Sequence, residues 1–102
     1  MITINIKDVI NSAIADEDTK GDLVFDEIKK RVKDEEKIVL DFEKIELVNT
    51  AFLNNAVGRL FDSKEYNLDK NPVRIDNMND NMIELLKESI QVAREKYQAT
   101  FL

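Results

Sequence analysis

The stretch VLDFEKIELVNTAFLNNAVGRLF, residues 39–61, begins as a buried strand and ends as an amphipathic helix. Its first residues continue an apolar run from Ile38 to Leu40, which is typical of a central strand buried on both faces of a sheet. Apolar residues recur at helical spacing after Asn49 and Thr50, so one of these two residues is expected to cap the helix. A strand that leads into a helix in this way is typical of α/β folds.

The helix that ends this stretch has an apolar side and a polar side. Its apolar positions are Phe52, Leu53, Ala56, Val57, Leu60 and Phe61. Asn54, Asn55 and Arg59 lie on the other side. Gly58 interrupts the helix, where a glycine costs about 1 kcal/mol relative to alanine. A close approach of this helix to the sheet would explain the glycine, and a tolerated imperfection is the alternative.

The N-terminal part of the chain shows the same alternation of strand and helix. Isoleucines at every second position predict a strand over residues 2–6. Residues 8–14 fit either a short helix or an irregular edge segment, and the polar residues 15–22 predict a loop. Thr19 precedes Asp22 by three positions, as in a capping box, and an apolar stripe then predicts a helix from about residue 22 to residue 33.

The C-terminal part completes the pattern. Pro72 can occupy the first position of a strand over residues 72–75, where no ladder donor is needed. Asn79 or Asp80 should open a long last helix, and Phe101 and Leu102 either pack back or fray. The apolar stripe of that helix is Met82, Ile83, Leu86, Ile90, Ala93 and Tyr97. We therefore predict one α/β domain over residues 1–102, with helices packed on a parallel or mixed sheet and right-handed crossovers.

Charge and composition exclude several classes of function. The net charge of −6 argues against a general nucleic-acid binder, because neutralising phosphates requires clustered lysines and arginines. The chain has no cysteine and no histidine, so it cannot form disulfides, thiol nucleophiles, Cys/His zinc sites or imidazole bases. The N-terminus lacks a signal-peptide pattern, and no apolar run reaches the roughly 18 residues of a membrane span. We expect a cytoplasmic protein that uses no cofactor and does not bind membranes.

Carboxylates follow two of the predicted strands. Asp41 and Glu43 come at the end of the central strand, and Asp76, Asn77 and Asp80 lie just after the third. Oxygen ligands of this kind suit a hard cation such as Mg²⁺. Solvated strand ends explain the same residues without a metal, because the chain contains 21 acidic residues. We favour the explanation without a metal.

Catalytic motifs are missing from the sequence. No phosphate-binding glycine loop, dinucleotide fingerprint or nucleophile elbow is present, and Thr50 has no histidine to serve as its base. An enzyme is therefore disfavoured. A small-molecule sensor remains an alternative, with a nucleotide-like ligand bound at the strand ends near Asp41, Asn49 and Asp76.

The central stretch resembles the STAS-like domains, which are small bacterial relatives of the anti-sigma-factor antagonists. The resemblance rests on a strand ending in Asp41-Phe42, then Thr50, then Ala51-Phe52-Leu53-Asn54 and a helix containing Gly58. It implies a sheet flanked by helices and no catalysis. Anti-sigma-factor antagonists carry a phosphorylated Ser or Thr at the start of the helix after the central strand. By position, Thr50 matches that residue, with Asn49 before it and Ala51-Phe52 after it where antagonists typically have Asp, a small residue and Gly.

Two interpretations of Thr50 follow. Thr50 is either a structural helix cap or a phosphoacceptor, and the resemblance implies an ATP-binding kinase of the anti-sigma type as partner. Asn49, Asn54, Asn55 and Arg59 are the neighbouring candidates for partner contact, although a solvated helix face also explains them. The oligomeric state has no signature in the sequence.

Overall fold

Three parallel strands form the main sheet of the protein, whose computed structural model describes residues 1–98. The question of whether Phe101 and Leu102 pack back or fray lies outside these residues. The strands are β1 (Ile2–Asn5), β2 (Ile14–Ala15), β3 (Ile38–Asp41), β4 (Leu47–Val48) and β5 (Val73–Asp76). The helices are α1 (Ile6–Ile10), α2 (Asp18–Arg31), α3 (Thr50–Ala56) and α4 (Asp80–Gln98), with a 3₁₀ helix over Gly58–Phe61.

The main sheet has the strand order β1-β3-β5, and both pairings are parallel. This arrangement confirms the predicted α/β fold and the central position of the strand that ends at Asp41. Both crossovers run in the same direction across the sheet, so right-handed connections place α2 and α3 on one face. The short strands β2 and β4 pair with each other as a second parallel sheet.

The two faces of the main sheet differ in polarity. The side chains of residues paired across neighbouring strands point to the same face of a sheet. One side carries the apolar residues Ile2, Ile38 and Val73, followed by Ile4, Leu40 and Ile75. The other side carries Thr3, Val39 and Arg74, followed by Asn5, Asp41 and Asp76. The first set packs in the common hydrophobic core with α2 and α3, whereas Thr3 and Arg74 are exposed.

Helix α2 begins earlier than the sequence pattern predicts. It starts at Asp18 rather than near Asp22, so the predicted loop over residues 15–22 is wrong. The predicted capping box is also wrong, because Glu17 occupies the N-cap position and Thr19 lies inside the first turn. Contacts with the residues just before the helix stabilise its earlier start, since Lys20 Nζ donates to the Ile14 carbonyl at 3.1 Å and to Asp16 Oδ1 at 3.0 Å.

The undecided segment after β1 is a short helix followed by a strand. The Asn5 side chain accepts a hydrogen bond from the Asp8 N–H at 3.0 Å and caps α1, which ends β1 one residue before Ile6. Asn11 then adopts a left-handed conformation with φ 54°, which turns the chain into β2. Asparagine tolerates this region better than most residues.

The two glycines differ in how closely their backbones approach neighbouring elements. A Cβ atom at Gly21 would overlap the Phe52 carbonyl oxygen and would lie 2.9 Å from Cβ of Asn55, so α2 and α3 touch here backbone to backbone. At Gly58 a Cβ atom would meet Ala93 of α4 at 3.6 Å, an ordinary contact. Of the two alternatives for Gly58, the close approach to the sheet is therefore wrong, and Gly21 provides the close helix packing.

The segment between the 3₁₀ helix and β5 is fixed by one buried asparagine. Asn71 Nδ2 donates to the carbonyl oxygens of Lys33 and Glu36, in the turn that precedes β3. The buried Tyr66 hydroxyl donates to the Asn71 carbonyl at 2.8 Å. These bonds hold the start of β5 beside the start of β3.

Candidate functional site

Thr50 is the first residue of α3 and does not cap it. The cap is Asn49, whose Oδ1 accepts a hydrogen bond from the Phe52 N–H at 2.9 Å. The interpretation of Thr50 as an N-cap is therefore wrong, because its side chain lies one position inside the helix. Thr50 is partly exposed, and its hydroxyl has no hydrogen-bond partner among residues 1–98.

Asn49 also anchors the start of α3 to the segment before α2. Its Nδ2 donates to the Asp16 carbonyl at 2.6 Å, and its backbone N–H donates to the Ala15 carbonyl at 3.2 Å. Both side-chain ends of Asn49 are thus used within the fold. The strand-to-helix joint is consequently fixed at three points, and the Thr50 hydroxyl projects from a rigid position.

The polar side of α3 divides between solvent and α2. Asn55 Nδ2 donates to Asp22 Oδ1 at 3.0 Å and to the Asp18 carbonyl at 3.3 Å, so this amide joins the two helices. Asn54 is exposed. It lies four residues after Thr50 and therefore on the same helix face. Thr50 and Asn54 form the free part of the predicted contact patch.

Arg59 lies at the centre of a charged cluster at the α2 side. Its guanidinium stacks 3.9 Å from the ring centroid of Phe25, pairs with Asp22 at 3.1 Å and makes a bidentate contact with Glu65 at 2.9 and 3.3 Å. The hydrogen bond to Glu65 raises the pKa of Arg59, and the same bond lowers the pKa of Glu65. These contacts give Arg59 a positioning role for the 3₁₀ helix.

A groove that the sequence analysis missed runs between α3 and α4. It has a volume of about 120 Å³ and contains Asn54 and Gly58 on one wall and Val92 and Ala93 on the other. Val92 is 50% exposed, so an apolar side chain at this groove is accessible from solvent. The sequence signal was an apolar residue outside the stripe of the last helix. The groove extends the Thr50–Asn54 face onto a second helix.

The strand ends bring together part of the predicted ligand site. Asp41 and Asp76 are register partners in adjacent strands, and Asn77 Nδ2 donates to Asp41 Oδ1 at 2.7 Å. Arg74 neutralises Asp76 through two contacts at 2.9 and 3.0 Å. Asn49 makes its side-chain hydrogen bonds with other groups. The described residues contain no group of three or more acidic, histidine or cysteine side chains that could hold a metal ion.

The long helix α4 is amphipathic and packs on the core. As predicted, the polar pair before it starts the helix: Asn79 Oδ1 accepts a hydrogen bond from the Met82 N–H at 2.9 Å, and Asp80 is the first helical residue. Within residues 1–98, no helix combines the length and hydropathy that crossing a membrane requires.

Comparison with known proteins identifies a family. The family model described as "STAS-like domain of unknown function (DUF4325)" matches residues 20–81 of the 102-residue chain. The matched region runs from the start of α2 to the start of α4 and contains the Thr50 joint. Neither the search of curated proteins nor the search of solved structures gave a match.

Proposed function

The chain belongs to the family of STAS-like domains of unknown function, and we propose that it is a non-enzymatic regulatory module of the bacterial cytoplasm. In this proposal it binds a partner protein through the face formed by Thr50 and Asn54, and phosphorylation of Thr50 releases the partner. The observation that supports the switch most directly is the free hydroxyl of Thr50, which is partly exposed and has no role in capping α3.

Phosphorylation at this position is compatible with the fold. Asn49 already satisfies the Phe52 N–H, so a modified Thr50 disrupts no hydrogen bond among residues 1–98. A phosphate adds about −1.5 to −2 charges, and the first turn of a helix tolerates negative charge well. The domain is therefore expected to stay folded in both states, and the switch acts on the partner.

Phosphorylation of Thr50 changes the charge and the size of the group that the partner contacts. A surface that fits a neutral hydroxyl meets a bulky dianion on a chain whose net charge is already −6. Juxtaposed like charges at an interface cost several kcal/mol, which is enough to abolish an ordinary transient complex. Asn54 contacts the partner directly in this scheme, whereas Asn49 and Asn55 hold α3 in place through their contacts with Asp16 and Asp22. Arg59 positions the 3₁₀ helix through its contact with Glu65.

The family resemblance suggests the class of partner. An ATP-binding kinase of the anti-sigma type would both bind the unmodified face and transfer phosphate to Thr50. The groove between α3 and α4 supports a protein partner, because its small volume and the half-exposed Val92 suit a single inserted apolar side chain.

A capture experiment tests this proposal. Wild type, Thr50→Glu and Thr50→Val are used as baits in lysate of the native cells, and bound proteins are identified by mass spectrometry. Thr50→Val keeps the shape of the side chain but lacks the hydroxyl oxygen that would receive the phosphate, so it is the matched control. We expect wild type and Thr50→Val to capture one ATP-binding protein that Thr50→Glu does not capture.

A second step links capture to chemistry. The captured protein, purified and supplied with ATP, should add one phosphate to wild type and none to Thr50→Val. Capture of the same partner by folded Thr50→Glu, or no phosphate on Thr50, contradicts the switch.

A small-molecule sensor is the second candidate. It is favoured by the adjacent carboxylates of Asp41 and Asp76 at the carboxyl end of parallel strands, where ligands of α/β sheets commonly bind. Asn49 takes no part in this scheme, because both ends of its side chain bond within the fold. A nucleotide that raises the melting temperature of wild type, but not of Asp41→Asn, supports this alternative.

A further inference from the structure

Strand β1 is one of the two edge strands of the main sheet, and β5 is the other. In a parallel pair, alternate residues direct both backbone groups to the neighbouring strand. The Ile2 N–H donates to the Lys37 carbonyl at 2.9 Å, so the backbone N–H and C=O groups of Ile2 and Ile4 point towards β3. The backbone groups of Thr3 and the N–H of Asn5 therefore point away from the sheet. The edge offers a short ladder of free donors and acceptors.

An open groove runs along this edge. It has a volume of about 560 Å³ and lies between β1 and α2, with Thr3 and Asn5 on one side and Leu23 on the other. Leu23 is 51% exposed, although it lies on a helix that packs against the core. The edge is thus accessible, and an apolar side chain lies beside it.

The charges of α2 along this groove are arranged in order. Asp26 and Glu27 come first along the helix, and Lys30 and Arg31 follow at its C-terminal end. None of these four side chains forms an ion pair or hydrogen bond within the described part of the chain. The helix runs antiparallel to β1, because it connects the end of β1 to the start of β3. The groove is therefore acidic towards one end and basic at the other.

Such an arrangement is complementary to itself. A two-fold axis perpendicular to the sheet reverses the direction of both β1 and α2 in the second copy. The acidic end of one groove then lies against the basic end of the other. Each of the four charged α2 side chains in one copy therefore lies near side chains of opposite charge in the other copy.

We propose that β1 pairs antiparallel with β1 of a second copy of this chain, centred on Thr3. In this register the two Thr3 residues exchange two N–H···O bonds, as a hydrogen-bonded antiparallel pair does. The Asn5 N–H of each copy donates to the Met1 carbonyl of the other. Two three-stranded sheets thus become one continuous sheet, and the two Leu23 side chains are covered by the opposing α2 helices.

The dimer does not depend on the proposed switch. Helix α3 follows β3 and leads to β5, so the Thr50 face lies beyond α2 from the paired edge. A dimer can form whether or not Thr50 is phosphorylated, and each proposal can fail alone.

Sedimentation velocity tests the dimer directly. Wild type is measured from about 1 µM to about 1 mM, a range that brackets weak and moderate self-association. We expect a concentration-dependent dimer and no larger species. Thr3→Pro removes the outward N–H without removing a bond inside the sheet, so it should remain folded and monomeric. Thr3→Val keeps the N–H, is the matched control and should dimerise like wild type.

Two further readouts identify the surface and keep the test independent of how Thr3→Pro folds. Amide exchange of Thr3 and Asn5 should slow at least about tenfold between the monomeric and the dimeric concentration range. Reversing Lys30 and Arg31 to Glu should weaken the dimer at least about tenfold, and adding Asp26→Lys and Glu27→Lys to the same chain should restore it.

Three outcomes overturn the proposal. They are a monomer at every concentration, a dimer in which the Thr3 amide exchanges as fast as in the monomer, and an open-ended series of larger species.

Discussion

Gly21 of α2 lies directly against the carbonyl oxygen of Phe52 in α3, with no room for a side chain between the two helices. The contact is backbone to backbone, so neither partner can move aside as a flexible side chain could. Asn55, one turn later in α3, donates to Asp22 beside the glycine. The helix that carries Thr50 is therefore positioned by its contact with α2.

Gly21→Ala should destabilise the protein by about 2 kcal/mol or more, because overpacking of a rigid contact usually costs 1–3 kcal/mol. The sign of this change in unfolding free energy is informative, because replacing glycine by alanine in an isolated helix stabilises the helix by about 1 kcal/mol. Gly58→Ala is the matched control, with only an ordinary contact to Ala93, and should stay within about 0.5 kcal/mol of wild type. Urea unfolding of the three proteins gives the comparison. Equal effects of the two substitutions would contradict the assigned roles of the glycines.

The alternation of strands and helices could be predicted because it depends on periodicity, which is a local property of the sequence. The start of α2 could not. Asp18, Thr19 and Gly21 are poor helix formers, and the helix exists there because Gly21 packs on α3 and Lys20 bonds to Ile14 and Asp16. The packing of Gly21 on a helix about thirty residues later in the chain has no periodic signature.

In the candidate site, too, local sequence pattern predicts some features, whereas others depend on contacts between distant residues. Thr50 was placed correctly at the joint between strand and helix, because the apolar pattern changes there. Arg59 was interpreted as part of an exposed face, but it stacks on Phe25 and pairs with Asp22, which is 37 residues away in the chain. A long amphipathic side chain can cover apolar surface while its charge stays at the rim, so polarity alone did not reveal its position.

Ser89→Ala should stabilise the protein by about 1 kcal/mol. Ser89 is 1% exposed, and its hydroxyl is the buried side-chain polar atom without a hydrogen-bond partner among residues 1–98. Alanine removes the uncompensated desolvation of that hydroxyl and is also the better helix former. Thermal and urea unfolding measure the change. Ser63→Ala, at an exposed position, should have little effect. Destabilisation by Ser89→Ala would indicate that the hydroxyl has a partner in solution.

Tyr66 should make the protein sensitive to alkaline pH. Burial raises the pKa of Tyr66 to about 12, whereas a phenol in the unfolded chain titrates near pH 10. The unfolded state therefore releases the proton first, so the contribution of Tyr66 is complete below about pH 10 and is lost as the pH rises towards 12. Tyr66→Phe also lacks the bond to the Asn71 carbonyl and should cost about 1 kcal/mol at neutral pH.

Unfolding free energies of wild type and Tyr66→Phe at about pH 8, 10 and 11 separate this effect from the titration of lysines, which both proteins share. The advantage of wild type over the variant should shrink between the last two values. A constant difference would mean that Tyr66 ionises in the folded state as readily as in the unfolded state.

Asn49 and Thr50 should differ sharply in their contribution to stability. Asn49→Ala removes the cap of α3 and the bond to the Asp16 carbonyl, and it should cost about 2 kcal/mol. Asn49→Asp retains an oxygen for the Phe52 N–H but loses the amide donor, so its cost should be intermediate. Thr50→Val should stay within about 0.5 kcal/mol of wild type, because the hydroxyl bonds to nothing among residues 1–98. Urea unfolding of the three variants at neutral pH is the measurement. If Thr50→Val cost as much as Asn49→Ala, the Thr50 hydroxyl would be structural, and its availability to a kinase would lose its physical basis. If the predicted order holds, Thr50 can be varied freely in binding experiments, because changes in partner capture then report on the contact itself and not on the stability of α3.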